Sequence, residues 1–153
     1  MKNYYITITL IAISTIMFGC DKVKNITGSE VSLVKGGTLE IDKSLTVGQA
    51  MDNYKYFKKT KWDLVKTDNG KKIVTVIGML DTEKHPAINQ KEGVKSAEMK
   101  FEFKINQDKT FEVGWCGLAI EKNDGSKNTP AENVNLQMCL NSLKSIYNNN
   151  PDF

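Results

Sequence analysis

Arginine is absent from this chain, so all 21 of its Lys-or-Arg residues are lysine. No guanidinium is therefore available for bidentate recognition of carboxylate or phosphate, which lowers the case for an enzyme acting on phosphate groups. Histidine occurs once, as His85, so any Ser–His or Cys–His site must use it. No G-x-S-x-G nucleophile motif occurs. Cysteine and proline occur three times each, and no C-x-x-C, H-x-x-x-H or oxygen-rich loop marks a metal site. Neither sign of charge dominates: 21 lysines stand against 18 acids, which gives no argument for a dedicated polyanion partner. A membrane-spanning run is missing too. The long apolar stretch, residues 6–18, has about 13 residues, and a spanning helix needs about 20.

That stretch follows the basic start Met1-Lys2 and ends at Gly19-Cys20. This is the layout of a secretory signal peptide, and residues 1–19 are expected to be removed. Met17-Phe18-Gly19-Cys20 resembles the bacterial lipobox. Gly19 and Cys20 fit the pattern; Met17 stands where Leu is commonest, and Phe18 is bulkier than usual. The resemblance implies that Cys20 becomes a lipidated N-terminus carrying chains such as palmitate, and more than one chain on one residue gives stable anchoring. Asp21 after the Cys implies retention at the inner membrane. The expected address is the cell envelope, facing the periplasm.

Residues 20–44 read as lipidated N-terminus and tether. Residues 21–30 are polar and aperiodic, 31–34 suggest a short strand, and Gly36-Gly37 a turn. Residues 45–153 read as one domain, long enough to bury a core without a disulfide framework.

Thr46 and Gln49 fit a capping box, in which hydroxyl and amide each satisfy the other's backbone donor. Val47, Ala50, Met51 and Tyr54 follow at helical spacing, predicting a helix over 47–56. Residues 62–66 and 72–80 flank Asp68-Asn69-Gly70 and predict a hairpin. Residues 81–96 read as a long polar loop. Strict alternation over 97–105 puts Met99, Phe101, Phe103 and Ile105 on a core face and Glu98, Lys100, Glu102 and Lys104 in water. The returning strand, 110–120, alternates Phe111, Val113 and Trp115, and 122–127 reads as a loop. Thr129 as N-cap, Pro130 and Glu132 predict a second capping box. The helix it opens runs to about Tyr147, with Leu136, Cys139, Leu140 and Leu143 on one face. The expected fold is α+β: a four-stranded antiparallel meander packed by an N-terminal and a C-terminal helix.

With Cys20 committed to lipid, Cys116 and Cys139 remain as a pair in an exported chain, where disulfides persist. Alternation opposes this bond, because Cys116 points away from Trp115 and Val113. Either Gly114 or Gly117 marks a bulge that flips the register, or the C-terminal helix packs beside Leu118 and Ile120 instead. Two glycines flanking Trp115-Cys116 favour the bulge.

Other chemistry is weaker. His85 reads as an exposed loop residue. Glu98 and Glu102 could in principle form a hydrolytic carboxylate pair, but interleaving with Lys100 and Lys104 is how a wet strand face looks. Cys116, Cys139 and His85 could supply three metal ligands, without any spacing in support. Tyr54 to Trp62 mixes bases with aromatics, as single-strand nucleic-acid binders do. An exported address opposes that use, and Tyr54, Phe57 and Trp62 serve better in a core. The lysines could instead meet anionic lipid headgroups. No catalytic residue, metal or cofactor is assigned, and no nucleic-acid partner is expected.

Thr46-Val47-Gly48-Gln49-Ala50, Tyr54, Phe57, Trp62, Gly70, Val74 and Gly78 together resemble small bacterial lipoproteins of unknown function. The resemblance covers about 35 residues plus the signal, and it implies a similar domain and no particular activity. The expected function is a membrane-anchored, non-enzymatic protein-binding or envelope-structural module, whose protein partner the sequence does not name. The alternative is an anchored inhibitor or exclusion factor against an envelope enzyme or incoming element, with residues 81–96 as its presenting loop.

Overall fold

The computed structural model describes residues 28–128 and 135–152. Cys20 and the expected capping box at Thr129 and Glu132 lie outside the described residues. The elements run α1 (Ser29–Gly36), β1 (Thr38–Leu39), β2 (Asp42–Thr46), α2 (Val47–Asn53), β3 (Phe57–Lys66), β4 (Lys72–Leu80), α3 (Pro86–Asn89), β5 (Val94–Ile105), β6 (Phe111–Lys122), β7 (Lys127–Asn128) and α4 (Leu136–Tyr147). The class is α+β.

Strands β3 to β7 form one antiparallel meander in chain order, and β1 pairs with β2 separately. The expected four strands therefore become five. The expected loop over 122–127 is the turn between β6, which ends at Lys122, and β7, which begins at Lys127, with Gly125 at a φ of 83° that glycine takes without strain. The chain then returns as β7 along Ile120 and Glu121.

The capping box at α2 forms as expected. Thr46 Oγ1 accepts from the Gln49 N–H at 3.1 Å, and the Thr46 N–H donates to Gln49 Oε1 at 2.9 Å. The helix is shorter than the expected 47–56, because Tyr54 is extended and the chain enters β3 at Phe57 rather than Trp62. The expected strand over 31–34 is a helical turn of α1. Val31 and Val34 lie one turn apart and both are buried. Valine's preference for strand is a weak prior, and burial of one helical face overrides it here. Residues 29–44, expected in the tether, thus include part of the packed domain.

One sheet face carries Val74, Val76, Met99, Phe101, Phe103 and Cys116 into the core. Val31 and Val34 of α1, Val47, Ala50 and Met51 of α2, and Leu143 and Ile146 of α4 close over them in the same cluster. Alternation over 97–105 holds, with Phe103 fully buried and Lys104 exposed.

Three register shifts interrupt the sheet; one lies between Val94 and Ser96, and the other two bear on the sites below. At the start of β3, Phe57 pairs with Leu80 but Lys59 with Met79, so Lys58 is the extra residue. On β6, Trp115 pairs with Glu102 and Val113 with Phe103, which leaves Gly114 unmatched. Phase therefore inverts at Gly114. Trp115, expected beside Val113 on the core face, sits on the outer face with Lys100 Nζ 5.5 Å from its ring centre. Cys116 turns inward, opposite Phe101. Helix α4 opens behind Asn135, whose side chain accepts from the Gln137 N–H at 2.8 Å. Its burial starts at Cys139. Leu136, expected on the buried stripe, is half exposed in the first turn.

Candidate functional site

Four places concentrate chemistry. The first is the join between sheet and C-terminal helix. Cys116 and Cys139 form a disulfide with Cα atoms 5.5 Å apart, inside the range a disulfide requires. The Gly114 bulge makes this possible, as the sequence favoured, and α4 stays on the side of the first two helices. Both sulfurs are buried and bonded to each other. They are committed to structure rather than to a metal shared with His85.

The second is His85. It is not an exposed loop residue: the structure buries it completely as the residue before α3. Its ring packs edge-on to Tyr56 at 5.2 Å. Burial pushes its imidazole below the ordinary value, partly offset by its backbone hydrogen bond and the charge of Asp152. The reason lies in the loop itself. Asp81 accepts from the N–H groups of Glu83 at 3.1 Å and Lys84 at 3.3 Å, which folds residues 81–85 into a tight turn. That turn aims His85 inward, and Ile88 follows it into the core. A polar composition concealed two anchor residues.

The third is the network around Asp52. Its carboxylate accepts from Thr60 Oγ1 at 2.6 Å and Trp62 Nε1 at 3.1 Å, and pairs with Lys35 at 2.8 Å. Lys35 also stands 5.0 Å above the Trp62 ring. Burial pushes the Asp52 carboxyl up, but Lys35, Thr60 and Trp62 outweigh it and hold the group below its usual range. This network ties α1, α2 and β3 together. Nothing local in the sequence links Lys35, Asp52 and Trp62, so sequence reasoning missed it.

The fourth is a cleft of about 630 Å³ between the start of α1, the β3–β4 turn and the β5–β6 turn. Glu30, Leu33, Asn69, Lys72, Asn106 and Lys109 line it. The hydrogen bond from Lys72 pulls the Glu30 carboxyl down to about 2. Amides and lysines around such a cleft suit a ligand rich in hydrogen-bond acceptors.

The remaining candidates fall on surfaces. Glu98 and Glu102 share the outer sheet face, and Lys100 Nζ reaches Glu102 Oε1 at 2.7 Å. Among the lysines of the aromatic–basic segment, Lys55 stands 4.9 Å over Tyr56 and Lys58 lies 3.6 Å from Asp81. Tyr54 is buried, donates its hydroxyl to the Asn150 carbonyl at 2.9 Å, and meets Phe57 edge-on. Among the described residues, no group of three His, Cys, Asp or Glu side chains comes together as a metal site. No described helix is long and apolar enough to cross a membrane. Comparison with protein-family models, curated proteins and solved structures finds no match to this chain.

Proposed function

We propose that this chain is a membrane-anchored bacterial lipoprotein whose domain acts in the cell envelope as a non-enzymatic protein-binding or structural module. The carrying observation is Gly19-Cys20 at the end of the apolar stretch 6–18. The Cys116–Cys139 bond supports it, because such bonds persist in oxidising compartments and are rare in the cytosol. The state of the carboxyl groups supports the non-enzymatic part. Glu30 and Asp52 leave their ordinary range by pairing with Lys72 and Lys35, which is how structural ion pairs behave. Asp21 favours the inner membrane.

A fatty-acid probe fed to cells is the test. Label on the wild-type chain and none on Cys20→Ser is the expected result. A wild-type chain recovered soluble and unlabelled refutes the anchor.

A second reading, the anchored inhibitor or exclusion factor, is favoured by the build of residues 81–93. The Asp81 turn, the two buried anchors His85 and Ile88, and the bond from Asn89 Nδ2 to the Glu83 carbonyl at 2.9 Å make the segment rigid. An inhibitory loop gains affinity from such preorganisation. Deleting the segment would also remove core residues. Substituting its exposed Lys84, Gln90 and Lys91, then comparing crosslinked envelope partners, separates the two readings. Loss of a partner favours the inhibitor, and an unchanged set favours the structural module.

A further inference from the structure

The outer face of the five-stranded sheet is unlike the inner one. The helices α1, α2 and α4 bury their apolar residues with the inner face. The outer face carries charge and apolar groups in a fixed register. One row across the strands reads Lys61, Ile77, Lys100, Gly117, and the next reads Asp63, Thr75, Glu102, Trp115. The row before them reads Lys59, Met79, Glu98, Ala119, and the row after reads Val65, Ile73, Lys104, Glu112. Met79 and Val65, in the two outermost rows, are 41% and 46% exposed. Lys61, Asp63, Glu98 and Lys104 make no ion pair within the described residues.

We infer that this face binds a second copy of the same chain, about a two-fold axis that crosses the strands between the Lys61 row and the Asp63 row. A two-fold interface must be self-complementary: what one residue meets on the partner, its counterpart meets in return. That axis lays the Lys61 row of one copy over the Asp63 row of the other. Lys61 then faces Asp63, Lys100 faces Glu102, and Ile77 faces the recess bordered by Lys61, Asp63 and Lys100, at whose floor Thr75 is itself buried. Gly117 faces Trp115. In the outer rows Glu98 faces Lys104, and Met79 faces Ile73. Lys59 over Val65 and Ala119 over Glu112 leave those charges without an opposite partner, at exposed corners of the patch where water still reaches them.

Charge separates this arrangement from the alternative. An axis along the strands between β4 and β5 sets every charge of the four rows opposite an uncharged residue, with Lys100 under Ile77 and Glu102 under Thr75 at the centre, where unpartnered burial costs several kcal/mol. Antiparallel sheets packed face to face keep their strands within about 30° and their side chains interdigitated over about 10 Å. The two central rows lie nearest the axis, so sheet twist disturbs their matches least. The pair Lys100–Glu102, already 2.7 Å apart within one copy, becomes a ring of four alternating charges. The inference does not depend on the lipid anchor.

Sedimentation equilibrium on the full chain carrying Cys20→Ser, so that no lipid holds copies together, tests it. The expected parent is a reversible dimer. Lys61→Asp alone and Asp63→Lys alone each bring like charges together twice per dimer, and each weakens association by about tenfold or more. An equimolar mixture of the two variants pairs every introduced charge with an opposite one and regains parent-like association. The double variant Lys61→Asp/Asp63→Lys does the same. A monomeric parent overturns the inference. So does a dimer indifferent to both reversals, as pairing through the β3 edges would give, and so does a mixture that fails to recover.

Discussion

Val113 and Cys116 are three residues apart on one strand, yet both face the core, opposite Phe103 and Phe101. An odd separation should put them on opposite faces. Gly114 absorbs the difference as a bulge, and a single inserted residue decides where the disulfide can form. The bond closes a separation of 23 residues. Removing it by Cys116→Ala/Cys139→Ala should lower unfolding free energy by about 3 kcal/mol in the chain-entropy model. Urea titration reads this directly. A change below about 1 kcal/mol would mean that packing of α4, not the crosslink, holds the join.

Much of the fold was legible because period and caps are local. The 97–105 alternation, the Thr46–Gln49 box and the Asp68-Asn69-Gly70 turn each stand in a window of a few residues. Local cues fail where tertiary contact overrides them. Val31 and Val34 look like strand and become helix, because α1 closes one edge of the core. Residues 81–96 look uniformly polar, and only the Asp81 turn shows that His85 and Ile88 point inward. Straight alternation puts Trp115 on the core face, whereas the Gly114 bulge turns it outward, and the opposed direction of Cys116 is the sequence sign of that bulge. The Asp52 network was invisible for another reason: its members come from three elements that meet only after folding.

At Gly48 the backbones of α1 and α2 come close together. A Cβ built on it would lie 2.8 Å from the Lys35 carbonyl oxygen, a backbone atom. Alanine there must push the two helices apart. Gly48→Ala should therefore destabilise by about 1–3 kcal/mol despite its better helix propensity. Gly36→Ala is the control, because nothing lies within 4 Å of its Cβ position. Equal stability of both variants by thermal melting would show that α1 is loosely seated.

The buried His85 sets a pH dependence with a definite sign. Its folded value lies below the ordinary 6.5. As pH falls through 6.5 the unfolded chain takes up the proton first, so unfolding is favoured and stability declines. Above that value both states are neutral and this contribution is flat. The carboxylate losses come later: Glu30, pulled from 4.5 to about 2, loses its share only as pH falls below 4.5. Chemical unfolding between pH 7.5 and pH 5.5 should show falling stability for the wild type and a flatter profile for His85→Phe. Identical slopes would remove His85 as the cause.

Asp52 is the hinge between the N-terminal helices and the edge strand. Three donors converge on it, from Lys35, Thr60 and Trp62. Asp52→Ala leaves the indole N–H and the Thr60 hydroxyl without their acceptor and frees Lys35 from its ion pair. Hydrogen bonds to a charged group contribute about 1.5–3 kcal/mol each in protected sites, and this carboxylate is partly exposed, so a total loss of about 1–2 kcal/mol is expected. Asp52→Asn keeps one acceptor oxygen and should lose less. Trp62 supplies an independent readout, because Lys35 both pairs with the carboxylate and stands over its ring, and the indole N–H donates to the same carboxylate. Its fluorescence should shift in Asp52→Ala and in Lys35→Ala. It should stay unchanged in Lys144→Ala, whose lysine lies on α4, outside this network. An unaltered Trp62 signal in Asp52→Ala would mean that α1 and α2 are held by the apolar core alone.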